Sequence, residues 1–295
     1  MSDAGGAPIP LSSLHTHSRY CDGQGEIRDY IAAAIENGLA AFGASGHAPL
    51  PFPCPYAMSL EALKIYRADV RDQQKINEAR FPVFLGLELD YLPGLHDFYA
   101  NEFFGPGLDY VVASVHYVGG TNESAWVYDH SAESFAAEVN HRYHGDVRPV
   151  LVDYFSRVQS LVRESVAWDL PVIVGHLDRV AIWNRDNRWF DPLASWYLEL
   201  VEHTLDTIAG TGRVLEINTS GWNKAAEICN PSPDILARAV RKKIPIIISA
   251  DAHYPKNVDQ HYGRALDVLN VIGCDSIVSP SRTGWVIAPL PTRRM

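Results

Sequence analysis

The stretch Leu14-His15-Thr16-His17-Ser18-Arg19-Tyr20-Cys21-Asp22 sets two histidines two residues apart at the end of a short apolar run. On a strand, side chains two apart point to the same side, so both imidazoles would face one site. Neutral imidazoles held together suit a borderline-soft divalent metal, and Asp22 adds a hard oxygen a few residues on. His-x-His alone is equally compatible with a turn or with surface histidines. The arrangement recurs, however, because six further apolar runs end in His, Asp or Glu. Residues 39–45 lead to His47, 81–87 to Glu88 and Asp90, 110–115 to His116, and 171–175 to His176. Residues 214–215 lead to Glu216, and 244–250 to Asp251 and His253.

The candidate ligands are therefore His15, His17, Asp22, His47, Glu88, His116, His176, Asp251 and His253. One zinc ion takes about four ligands, so nine suit two or three ions, with a carboxylate such as Glu88 bridging. Six neutral imidazoles and three carboxylates carry a charge of about −3, and divalent ions reverse that sign locally. Such a pocket attracts a phosphate dianion.

Elements able to collect these residues follow from periodicity. Helical spacing runs over 26–37 with Gly38 as its cap, and over 59–80 with Ser59 as its start. It recurs over 131–144 and 149–164, then in a helix opened by Asp191-Pro192 and ended by Gly210 and Gly212. Two more run from Ser232-Pro233-Asp234 to about 243 and over about 261–271. Runs apolar on both faces, alternating with helices, point to a parallel sheet covered on all sides. Every polar cluster ends its run, and in a (β/α) barrel that is the end where the active site is built. An open doubly wound sheet would gather its chemistry at one or two switch points and use a Gly-rich phosphate loop; none follows the early strands. The expected fold is α/β, a seven-stranded barrel.

With 295 residues and 47% hydrophobic content, the chain can bury a barrel-sized core as one domain over 1–295, with 1–10 a short N-terminal arm. No segment approaches the roughly 20 consecutive apolar residues of a membrane span. Residues 1–10 have neither a basic region nor an apolar signal core, which predicts a cytoplasmic protein. Cys21, Cys54, Cys229 and Cys274 form no Cys-x-x-Cys pair, as expected of reduced thiols. A net charge of −10 disfavours nucleic acid as a partner but does not exclude a small anionic substrate, because bound metal ions can reverse the sign of a local site.

Taken in order, the motifs resemble the PHP family (polymerase and histidinol phosphatase), and within it the histidinol-phosphatase branch. The matching stretches are Leu14-His15-Thr16-His17-Ser18, Ser45-Gly46-His47-Ala48-Pro49, Leu85-Gly86-Leu87-Glu88-Leu89-Asp90-Tyr91-Leu92-Pro93-Gly94 and Ser114-Val115-His116-Tyr117-Val118. Val174-Gly175-His176-Leu177-Asp178, Leu215-Glu216-Ile217-Asn218-Thr219-Ser220-Gly221 and Ser249-Ala250-Asp251-Ala252-His253 complete the set. The resemblance implies a distorted (β/α)7 TIM-like barrel with a trinuclear site at the C-terminal ends of the strands. His15, His17, Glu88 and Asp251 would hold the first metal, Glu88, His116 and His176 the second, and Asp22, His47 and His253 the third. The histidinol-phosphatase branch often has His one position after Asp22, where this chain has Gly23; other PHP members use Asp at this spacing.

By the same resemblance, two to three divalent ions (Zn, Mn or Fe) support phosphomonoester hydrolysis, with Glu88, Asp251 and His253 as the catalytic residues. The implied substrate is L-histidinol phosphate, cleaved to L-histidinol and phosphate in histidine biosynthesis. The alternatives are a phosphoesterase for nucleotides or other small esters, and a metal-binding scaffold without catalysis. Arg179 and Arg157 are candidates to clamp phosphate, because guanidinium matches its geometry. Asp90 and Glu216 are candidates for the substrate's ammonium, Tyr117 and Trp222 for its ring, and Asp178 for the leaving-group proton. His96, His130, His141, His144, His203 and His261 lie away from strand ends and read as surface or packing residues.

Overall fold

Seven short β-branched runs pair side by side, each returning through a helix on the outside. A computed structural model describes residues 10–104, 107–121, 124–281 and 284–290. The 1–10 arm expected from the sequence therefore lies outside the described residues, apart from Pro10. The first four strands are β1 (Ser12–Ser13), β2 (Ala41–Ala44), β3 (Val83–Asp90) and β4 (Tyr110–Ser114). A small antiparallel pair, β5 (Tyr117–Val118) and β6 (Trp126–Val127), comes next. Then follow β7 (Val172–Val174), β8 (Val214–Asn218) and β9 (Ile246–Ser249). The parallel sheet runs β1-β2-β3-β4-β7-β8-β9. It closes at its C-terminal rim, where His17 N donates to Ala252 O at 2.9 Å and Ala252 N donates to His15 O at 3.1 Å. The closure falls between the residues following β1 and those following β9, which brings the His15–His17 and Asp251–His253 segments together.

The outer helices are α1 (Ile27–Glu36), α2 (Leu60–Asn77), the short α3 (His96–Tyr99), α4 (Ala132–Tyr143), α5 (Arg148–Ser165), α6 (Ser195–Thr211), α7 (Pro233–Arg241) and α8 (Tyr262–Val271). Ser59 accepts from Ala62 N and Ser131 from Ser134 N, both at 3.0 Å, satisfying N–H groups that each helix start leaves free. The helix expected to open at Asp191-Pro192 starts at Ser195 instead. Asp191 Oδ1 accepts from Leu193 N at 2.9 Å, a side-chain turn that competes with helix there. Among the described residues no helix is long and apolar enough to cross a membrane. All four cysteines are free.

Alternation along each strand separates two cores. Phe42, Leu85, Leu87, Val111, Val174, Leu215, Ile217 and Ile248 pack outward against the helices. Leu14, Ala41, Phe84, Tyr110, Val112, Ile173, Val214 and Ile247 fill the lower barrel with Val278, and Trp285 packs against them. Those last two residues come from a C-terminal hairpin, β10 (Ser276–Ser281) and β11 (Gly284–Pro289), which no sequence motif announced. Within that layer the Tyr110 ring crosses the interior, and its hydroxyl donates to Leu14 O at 2.6 Å. A Cβ at Gly43 or Gly86 would lie 2.4 Å from Tyr110, so glycine at both positions makes room for the ring. The polar residues begin directly above this floor.

Candidate metal centre

Glu88 lies at the middle of the upper barrel, fully enclosed on β3. Its backbone N donates to Ser45 O at 2.8 Å and its carbonyl accepts from Ala48 N at 2.8 Å, locking the His47 segment beside it. Oε1 faces His176 Nε2 at 3.0 Å and His116 Nε2 at 3.8 Å. Oε2 faces His47 Nδ1 at 3.1 Å, His15 Nε2 at 3.2 Å and His17 Nε2 at 3.4 Å. One carboxylate thus presents each oxygen to a separate set of imidazoles, as a bridge between cations must.

Asp251, just past β9, shows a division of labour between its oxygens. Oδ2 accepts from Ser220 Oγ at 3.0 Å, Arg179 Nη1 at 3.2 Å and Asn218 Nδ2 at 3.3 Å. Oδ1 is left toward His17 Nε2 at 3.1 Å and His15 Nε2 at 3.7 Å. Asp251 sits in the left-handed region (φ 49°), a strained conformation for a non-glycine residue and one that turns the chain sharply at the rim. The remaining group is more open. Asp22 Oδ2 lies 3.3 Å from His253 Nε2 and 4.0 Å from His47 Nε2, while Asp22 Oδ1 lies 3.4 Å from His17 Nδ1. Asp22 and His253 are 32% and 34% exposed, so the centre opens to solvent on this side. A Cβ on Gly23 would lie 2.2 Å from the His17 carbonyl carbon, so a side chain at position 23 does not fit this backbone.

Protons identify which imidazole nitrogens are free to coordinate. A carboxylate can only accept, so His15 Nδ1 donates to Glu216 Oε1 at 2.7 Å, and Nε2 is the nitrogen whose proton a cation would displace. His116 Nδ1 likewise donates to Asp90 Oδ1, leaving Nε2 toward Glu88. His253 Nδ1 donates to the Asp251 carbonyl at 3.1 Å, leaving Nε2 toward Asp22. Burial alone would raise the carboxyl pKa values, yet the surrounding imidazoles hold Glu88 and Asp251 well below the usual range. Burial pushes His15 down, but Glu216, Glu88 and Asp251 outweigh it and raise it. His47, by contrast, is lowered to about 4 by burial.

The donor set fits divalent metal ions. Among the described residues His15 Nε2, His17 Nε2 and His47 Nδ1 are buried without a well-directed hydrogen-bond partner, although all three surround Glu88 Oε2. Three such nitrogens around one anionic oxygen make a cradle for cations. Three groupings place their ligand atoms within 4.8 Å of one another: His17-Asp22-His47-His253, His15-His17-Glu88 and His47-Glu88-His116. All nine ligand candidates from the sequence meet at this rim. A cavity of about 670 Å³ opens at the opposite end of the barrel, beside Arg71, Asp109 and Trp285, away from every one of them.

The expected substrate contacts divide. Arg179 reaches the centre, donating from Nε to Asp129 Oδ2 at 2.6 Å as well as to Asp251. Tyr117 lies near the His47 side, its ring 6.5 Å from that of Tyr56. Asp90 and Glu216 are not open to an ammonium group, because each is engaged in orienting histidines. Asp90 accepts from His116 and Tyr56, and Glu216 from His15 Nδ1 and from His176 N at 2.7 Å. Arg157 points away, to Asp153 Oδ2 at 2.9 Å and Gly120 O at 2.6 Å, where it anchors the β5–β6 turn. Trp222 is covered by Arg264, 4.6 Å above its ring. Asp178 is walled in behind the centre, accepting from Asn230 Nδ2 at 2.8 Å and Ser232 N at 3.0 Å; burial pushes its carboxyl up to about 7. Tyr56, Asp129, Asn218 and Ser220 are the functional neighbours that sequence reasoning missed. Asn218 follows Glu216 by two on β8, and that spacing could have revealed it. Tyr56 and Asp129 lie in loops without periodicity.

Residues 13–220 match the model of the PHP domain family. A protein of Deinococcus radiodurans named probable histidinol-phosphatase is 32% identical over 271 residues, covering 89% of this chain and 94% of its own length. The histidinol-phosphatase of Bacillus subtilis is 27% identical over 266 residues, covering 86% of this chain and 97% of its own. The solved histidinol phosphate phosphatase of Lactococcus lactis, in complex with zinc, L-histidinol and phosphate, shares the fold. Its TM-score is 0.69 at 19% identity, over 95% of this chain and all of that one (100%).

Proposed function

The chain belongs to the PHP domain family, and from that premise we propose that it is a metal-dependent phosphatase whose substrate is L-histidinol phosphate. The observation that carries the reaction class is Glu88, each of whose oxygens faces its own set of imidazole nitrogens. Near full-length similarity to histidinol-phosphatases supports the substrate. We read the nine rim residues as ligands of two or three divalent ions, zinc, manganese or iron, in a single barrel domain of a cytoplasmic enzyme. Glu88, Asp251 and His253 are the residues closest to the reaction.

When bound, such ions supply Lewis acidity toward phosphoryl oxygens and make water a nucleophile near neutral pH. The chain's residues do the rest. Glu88 and Asp251 would supply the negative charge that offsets bound cations. Glu216 and Asp90 fix the rings of His15 and His116 so that Nε2 faces inward. Arg179, pinned by Asp129, brings a guanidinium to the rim where phosphate enters past Asp22 and His253. Tyr117 stands where a flat leaving group could pack.

The test is kcat/KM for L-histidinol phosphate against glycerol phosphate, phosphoserine and AMP, with and without chelator. A preference of tens-fold or more, abolished by chelator, is expected. Equal or better turnover of AMP would reassign the enzyme to nucleotides.

A further inference from the structure

The segment joining β2 to α2 contains no ligand beyond His47, yet its Tyr56 meets the centre at three points. Its ring centroid lies 4.7 Å from that of His47 and 6.4 Å from that of His116. Its hydroxyl donates to Asp90 Oδ2 at 3.2 Å, while Asp90 Oδ1 accepts from His116 Nδ1. A carboxylate with one fixed donor on each oxygen has a single orientation; remove either donor and it can turn about its own Cβ–Cγ bond. The chain Tyr56–Asp90–His116 ends at His116 Nε2, the nitrogen turned toward Glu88 Oε1.

The sequence explains why Tyr56 stays in place. Pro49, Pro51, Pro53 and Pro55 alternate through the loop, each with φ fixed by its ring, so little freedom is lost on folding. Side chains between them tie the loop down. Phe52 meets the Tyr117 ring edge-on at 5.9 Å, and Tyr117 Oη donates to Cys54 Sγ at 3.6 Å.

We propose that Tyr56 is a positioning residue for the metal held by His116: its hydroxyl sets Asp90, and Asp90 sets His116. The inference rests on reading the rim residues as metal ligands, and is independent of which phosphate ester is the substrate. Tyr56 acts through Asp90, so its effect must fall on one metal equivalent and must vanish when Asp90 is already altered.

The experiment challenges zinc-loaded protein with graded chromogenic chelator and reads the zinc released per equivalent, with circular dichroism as the check on fold. Tyr56→Phe keeps the ring and deletes the hydroxyl. It should release one equivalent at chelator concentrations lower by about three- to tenfold, the fold-change of one hydrogen bond's net worth, and the others as wild type does. Asp90→Asn should loosen the same equivalent by about 10–100-fold. The double variant should be no worse than Asp90→Asn. Wild-type release from Tyr56→Phe, an equal loosening of every equivalent, or a double variant in which the two effects add would each overturn the proposal. Wild-type protein that binds no transition metal would instead overturn the metal-centre reading on which it rests.

Discussion

The two ends of the barrel are built from the same strands on opposite physical terms. Below, Leu14, Phe84, Ile173, Val214 and Ile247 meet Val278 and the plug residue Trp285, and the interior is held by apolar burial. Each fully buried side chain of this kind contributes about 1.5–3 kcal/mol relative to exposure. Above, at inward positions on several of the same strands or just past their ends, the interior is imidazole and carboxylate. Stability there depends on charge being matched, by protons on the histidines or by cations between them. The lower barrel is thus scaffold and the rim a charge-balanced site. Perturbing one end should therefore leave the other's signature intact.

The sharpest break in that comparison is Glu88→Gln, which keeps shape and removes the charge shared by both imidazole sets. Metal should be lost, and the rate should fall by at least about a hundredfold, the upper range for changes one step outside the coordination sphere. His203→Ala, exposed on α6, should leave both unchanged. Elemental analysis and turnover of histidinol phosphate check this, and wild-type turnover by Glu88→Gln would remove the bridge from the site.

The complementary change is Ile173→Ala in the lower barrel, fully buried on β7. It should cost about 2–5 kcal/mol of unfolding free energy, from lost transfer energy plus a cavity. Metal per folded chain should stay at the wild-type value. Urea unfolding at saturating metal, with metal content measured alongside, decides this. Metal loss matching the stability loss would show that the two ends are coupled.

The smallest effect is the pH response of the rim. Without metal, burial depresses His116 but Asp90, Asp129 and Glu88 outweigh it and raise it to about 9. A histidine raised on folding adds stability that is fully present below its ordinary 6.5 and is lost as pH climbs through about 9. Chelated protein should therefore lose Tm over that window. Coordination displaces protons from the same rings, so the Tm increment added by excess metal should grow over the same window. Thermal melts with and without metal at matched pH values test the opposite signs; parallel curves would argue that cations and protons do not compete here.

Much of this division was legible in the sequence. Apolar runs ending in His, Asp or Glu are local features, and period-2 alternation assigns each a face without knowledge of its neighbours. The strands, their order and the rim residues at or just past their ends follow from that, whereas Asp22 rests on its nearness to His17 in sequence and the helix starts on capping residues and 3.6-residue spacing. Asp90 and Glu216 were found but given the wrong partners: both orient histidines instead of awaiting an ammonium group. The hairpin at 276–289 was missed because its task, plugging the lower barrel, is defined by residues far away in sequence.

What the chain determined by itself is which residue types stand at the strand ends and which way they point, since both depend on local periodicity. Pairing, by contrast, depends on the folded chain. Glu216 lies 201 residues from His15, Asp251 lies 72 from Arg179, and Tyr56 lies 34 from Asp90. No local rule couples positions so far apart. Closure of the sheet between Ala252 and the His15–His17 segment is what makes Asp251 a neighbour of the first histidines, and so determines which nitrogen faces which oxygen.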